Sequence, residues 1–210
     1  MELTKENIKF IDTYLKNSDI MFTDVRTEMV DHVATAVSEE MDSKNLTFYD
    51  AFKAYMVVHK KDLQQYNKQF KKTTDKIVLK SLFKKFIAPL NIGVMVSSFF
   101  LLIQFFPLGD KKFIEFVPFG FLIIAILIYY IVALKKRKQR FSGIERAGLI
   151  LTLSFQLYNA FQNPFFNENS VITNDYYFTL VFVLLLGLST AFIAVILELY
   201  KKYTNHYTIV

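Results

Sequence analysis

Glu28, Asp31 and His32, with Glu39 further along, come closer to a chemical site than any other residues of this chain. An imidazole among carboxylates can hold a divalent cation or act as a protonation switch. Glu28 and His32 are four apart and so neighbours on a helix, and Glu39 falls near the same face. A cation needs more ligands, and the other His of the N-terminal region is the distant His59. The reading preferred here is packing, with a partly buried His32 hydrogen-bonded to Glu28 and no metal bound. A second constellation is Thr152, Gln156, Asn159 and Asn163, which stay within about 60° of helix surface. Such a polar stripe in an apolar run either bonds neighbouring helices, through Asn91, Ser97 or Ser98, or lines a path for a small molecule or ion. The run carries no charge, which favours bonding between helices.

Other chemistry is missing. The 210 residues include no Cys, which excludes disulfides, zinc–thiolate sites and thiol catalysis. There is no phosphate-cradling Gly-rich loop, no His-Glu-x-x-His and no dinucleotide fingerprint. Gly187-Leu188-Ser189-Thr190-Ala191 approaches a nucleophile elbow but lacks its final Gly. No catalytic residue and no cofactor are expected, and the chain does not read as an enzyme.

The elements that must position these residues follow from an uneven composition. Hydrophobic residues make up 53% and charged residues 21%. Residues 1–59 hold 11 acids and 6 bases, residues 60–85 hold 2 acids and 9 Lys, and residues 86–210 hold 6 acids and 10 bases. The net charge of +6 therefore conceals an acidic head, a basic neck and an apolar body. Four charge-free runs, Phe86–Gly109, Phe116–Leu134, Ala147–Asn167 and Tyr176–Leu197, predict membrane spans over about 86–106, 116–134, 147–166 and 176–197. Helices satisfy a bilayer because their backbone polar groups pair within the segment. Lys and Arg cluster before the first run, after the second in Lys135-Lys136-Arg137-Lys138-Gln139-Arg140, and after the fourth at Lys201 and Lys202. That bias predicts that both termini are cytoplasmic. Tyr129, Tyr130, Tyr176, Tyr177 and Tyr200 read as interfacial anchors. Met1 to Asn7 form no apolar h-region, so no cleaved signal peptide is expected. Abundant Lys, Asn, Ile and Phe with few Gly fit an AT-rich bacterial coding sequence, which makes the membrane the inner, cytoplasmic one.

Residues 1–62 read as a cytoplasmic domain of three helices. Thr4 caps the first, with Ile8, Ile11 and Leu15 on one face, and Asn17-Ser18 ends it. Thr23 caps the second, whose stripe is Val25, Met29, Val33, Ala36 and Val37, and Ser43-Lys44-Asn45 breaks it. Thr47 opens the third with Asp50 as its capping-box partner, and Ala51, Phe52, Tyr55 and Met56 face inward. Residues 63–85 form a neck in which Leu63, Tyr66, Phe70 and Ile77 share one face among lysines. It is expected to lie near the membrane on anionic lipids or to join the head to the first span, and not to bind nucleic acid. So small a head buries little surface and is expected to lean on the neck, a second copy or a partner. Gly187 and Ala191 allow close helix approach, and Glu198 pairs with Lys201 and Lys202.

Three segments of the head, Ile11-Asp12-Thr13-Tyr14-Leu15, Arg26-Thr27-Glu28-Met29-Val30-Asp31-His32 and Thr47-Phe48-Tyr49-Asp50-Ala51-Phe52, resemble the HAAS-type helical signalling domain. The third helix departs from that pattern, running Met56-Val57-Val58-His59 where the family often has a Leu-Gly turn. The resemblance implies a cytoplasmic signalling head joined to several transmembrane helices, often beside transcriptional regulators of the PadR class. The expected architecture is thus all-α, a small three-helix cytoplasmic domain followed by a four-helix transmembrane bundle over 86–210. The expected function is regulatory, through a cytoplasmic protein partner. The alternatives are a small transport or channel component and a structural subunit of a membrane complex.

Overall fold

The computed structural model describes the backbone of residues 3–105, 111–135, 139–165 and 175–207, and side chains within 3–104, 119–135, 139–156 and 179–205. Among these residues the chain is all-helical and has no strand. The helices are α1 (Lys5–Asn17), α2 (Thr23–Lys44), α3 (Phe48–Phe86), α4 (Pro89–Phe105), α5 (Lys111–Lys135), α6 (Ser142–Phe165) and α7 (Asp175–Tyr207). They divide into two compact units, Met1–Thr74 with Lys138–Ser142, and Asp75–Arg137 with Gly143–Val210.

The first unit is built on short-range signals. The Thr4 hydroxyl accepts the Asn7 N–H at 3.2 Å, opening α1, and the Ser18 N–H closes it on Tyr14 and Leu15 carbonyls. Left-handed Asp19 and Asn45 turn the chain where no glycine is present, and the Asn45 N–H closes α2 on the Met41 carbonyl. At the start of α3 the Thr47 hydroxyl accepts the Asp50 N–H and donates to its carboxylate. Ile11 and Leu15 of α1 meet Val25, Met29, Val33, Val37 and Met41 of α2 and Ala51, Phe52, Tyr55, Met56 and Leu63 of α3 in one buried core. Phe52 takes the edges of Phe10 and Tyr14, with ring centroids 5.2 and 5.1 Å away.

Three expectations change here. Thr23 is not a cap: the residue before α2 is Phe22, which makes no side-chain capping bond. The third head helix and the neck are one helix of 39 residues, about 58 Å long at 1.5 Å per residue. Its inner face also differs from the expected one. Leu63, Asn67, Thr74, Val78 and Leu82 are buried, whereas Tyr66 and Ile77 are exposed. Asn67 and Thr74 go inward because they have partners there, the Asp19 carbonyl for Asn67 and the Phe70 carbonyl and Ser142 hydroxyl for Thr74.

In the second unit Pro89 explains the break between α3 and α4, a bend of 54°. Proline lacks an N–H and its ring opposes the preceding turn, so it suits the first position of a new helix. Helix α7 packs against both α4 and α5. Phe182, Val183 and Leu186 of α7 meet Met95, Phe99 and Leu102 of α4 and Phe121 of α5. Asn91 is the polar tie of this packing. Its amide donates to the Phe86 and Gly187 carbonyls, both at 3.0 Å, and accepts the Thr190 hydroxyl at 2.6 Å. A side chain at Gly187 would collide with Met95, and one at Gly148 with the Tyr129 ring. Glu198 pairs with Lys85 of α3 at 2.7 Å, not with the expected Lys201 and Lys202.

Among the described residues one helix, Thr179–Asn205 within α7, is long and apolar enough to cross a membrane. The bent pair α3–α4 adds a second when counted as one broken span, and Phe119–Lys135 is apolar but shorter. Helix α4 has 17 residues, about 26 Å, against a hydrocarbon core of about 30 Å. The expected bundle of four full-length crossings is therefore represented here by one helix of spanning length.

Candidate functional site

Glu28, Asp31 and His32 all fall within one helix, α2. All three are exposed on α2, and the expected Glu28–His32 bond gives way to a link between helices, with the Tyr66 hydroxyl donating to Glu28 Oε1 at 2.7 Å. That hydrogen bond first, then burial, then the Glu28 charge hold the Tyr66 phenol above its ordinary value of 10.0. Two residues earlier, Arg26 bonds Asp12 of α1 at 2.5 Å and reaches the Ile20 and Met21 carbonyls at 3.3 Å. Arg26 and Glu28 thus tie α2 to α1 and to α3. Asp31 contributes its backbone carbonyl to the Thr35 hydroxyl. Among the described residues no group of three or more His, Cys, Asp or Glu is placed to hold a metal ion.

The polar stripe of α6 is partly visible. The Thr152 hydroxyl returns to the Gly148 carbonyl of its own helix, and Gln156 is exposed. The side chains of Asn159 and Asn163 lie outside the described residues. Among the described residues, Asn91 bonds α4 to α7 through the Gly187 carbonyl and the Thr190 hydroxyl, and Ser97 turns to the Val94 carbonyl.

The most developed polar site was missed by the sequence reading and lies in the first unit. Asp24, in the first turn of α2, is only 7% exposed. Its carboxylate accepts the Ser142 backbone N–H at 3.1 Å and the Ser142 hydroxyl at 2.5 Å. The Ser142 hydroxyl also lies 3.5 Å from Thr74 Oγ1 of α3. Beside it the Thr23 N–H donates to the Arg140 carbonyl at 2.7 Å, filling the place a capping side chain would take. The Phe22 ring faces two cations, the Arg140 guanidinium at 5.6 Å and the Lys71 ammonium at 5.5 Å.

Asp24 therefore serves two helix starts. A carboxylate in the first turn of α2 complements that helix's positive end, and the same group accepts the first N–H of α6. The arrangement is a clasp of hydrogen bonds and stacked cations, and it holds residues 140–142 in the first unit. The signals that could have located it are weak in sequence: an acid at the start of α2, and a serine opening an apolar helix 118 residues away.

No protein family, no curated protein and no solved structure matches this chain.

Proposed function

We propose that this chain is a regulatory, non-enzymatic protein of the bacterial cytoplasmic membrane, crossing it several times with both termini inside and binding a cytoplasmic protein partner through its helical head. The observation that carries this reading is the clasp at Asp24. Residues 140–142 connect α5 to α6, and they are bonded to α2 and α3 within the head's own unit. A partner that alters the fit around Asp24 therefore acts on the group that caps the start of α6. The four apolar runs and the Lys/Arg bias support the crossings and their orientation. The resemblance to the HAAS-type domain supports the signalling role, since its three segments fall in α1, in α2 and at the start of α3 in the expected order.

Photo-crosslinking in cells tests this, with the crosslinking residue placed at Val57 of the head, which is 78% exposed, or at Leu184 of α7. A soluble cytoplasmic protein captured at position 57 and not at 184 is the expected result. Capture confined to membrane proteins at position 184 would move the function into the spans, as a structural or transport subunit.

A further inference from the structure

The last three turns of α3 carry a second apolar face, about 100° around the helix from the buried one. Val78 and Leu82 point into the second unit, whereas Leu79 and Phe83 are 50% and 65% exposed. Leu79 and Phe83 are one turn apart. Exposed Lys76, Lys80 and Lys84 repeat at the same spacing, rotated by about 60–100° around the helix. Apolar exposure does not stop at the end of α3. Exposed apolar residues follow at Ile87 in the bend, at Leu90, 84% exposed, and on more than one face of α4 at Val96, Phe100 and Leu101. An isolated apolar residue on a surface needs no explanation, but an exposed apolar pair flanked by lysines and leading into an apolar helix does.

We propose that residues 75–87 form an interfacial helix seated on an anionic leaflet, with Leu79 and Phe83 inserted below the headgroups and Lys76, Lys80 and Lys84 bound to lipid phosphates. The occupant follows from two features. Three lysines beside the apolar pair complement anionic headgroups, and the exposed apolar residues of α4 meet the acyl chains beyond Pro89. The 54° bend accommodates both, since a segment lying in the interface must turn to enter the hydrocarbon. Lys85 is not part of the lipid-binding row, because it pairs with Glu198. This inference rests on the proposed membrane crossing, and its test separates the two.

The chain contains no Trp, so one introduced Trp is a unique fluorophore. The full-length protein, as L79W, F83W, L184W or V57W, is reconstituted in phosphatidylcholine with or without phosphatidylglycerol, using lipids brominated at shallow or deep chain positions. The expected result is quenching of L79W and F83W by shallow bromines, stronger from brominated phosphatidylglycerol, with L184W quenched by deep bromines and V57W by neither. Each Lys→Gln change at positions 76, 80 and 84 is expected to lower the preference for the anionic lipid about fivefold. Unquenched L79W and F83W beside a quenched L184W would overturn the interfacial helix and leave the crossing intact. An unquenched L184W would remove the crossing itself. Equal quenching by both lipids, unchanged by the Lys→Gln changes, would overturn the anionic leaflet as the occupant.

Discussion

At the scale of single residues, the head depends on a few polar side chains whose partners are far away in sequence. Replacing Asp24 with Ala strands the Ser142 N–H and hydroxyl and is expected to destabilise the head by about 1–3 kcal/mol. Asp24→Asn keeps one acceptor oxygen and is expected to lose less. Thermal unfolding of the full-length protein in nanodiscs, with hydrogen exchange resolved at α2, measures both. Tyr66 supplies a pH dependence whose sign is fixed. A phenol held above its ordinary 10.0 gives stability that is complete below that value and is lost as pH rises through the folded-state value. Unfolding midpoints are therefore expected to fall above about pH 10, and Tyr66→Phe to reduce that alkaline loss. Tyr55, held up by burial and then by the Asp62 charge, sustains the remainder in the variant. A midpoint that is flat from pH 9 to 11 in the parent protein would contradict this assignment.

At the scale of elements, what could be read from sequence was what is local. Thr4, Thr47 and Asn45 sit at helix ends whose chemistry is complete within four residues, and the Val25–Val37 stripe repeats at helical spacing. The all-helical head was therefore legible, along with most of its core. Three features were not. The inner face of α3 carries Asn67 and Thr74, and a rule that equates inward with apolar chooses Tyr66 and Ile77 instead. Asp24 looks like an ordinary first-turn acid until Ser142 is brought beside it. The third is the contact of α4 with α7, where Asn91 finds Gly187 and Thr190 nearly a hundred residues on, a pairing that no local pattern marks. That contact is testable. Asn91→Leu is expected to weaken the α4–α7 pair by about 0.6–2 kcal/mol. Gly187→Leu drives a side chain into Met95 and is expected to destabilise by about 1–3 kcal/mol, partly relieved when Met95→Ala is added. Distances between spin labels on α4 and α7, followed through thermal unfolding in micelles, report both effects. An additive double variant would show that the two side chains do not meet.

At the scale of the whole molecule, the absence of Cys makes orientation directly measurable. Single cysteines at Asp42 and Lys201 are expected to react with a membrane-impermeant maleimide only after cells are opened, and one at Lys112 to react in intact cells. Labelling of Asp42→Cys in intact cells would reverse the proposed topology. The clasp at Asp24 has a further consequence, for the order of events during synthesis. Thr74 leaves the ribosome 68 residues before Ser142, an interval of roughly 3–14 s at ordinary translation rates. Throughout it the nascent head has a carboxylate, a backbone N–H and an aromatic ring waiting for residues 140–142, which are still being made. The head can finish folding only once the chain through Ser142 has emerged, so its maturation records that synthesis has already passed α5.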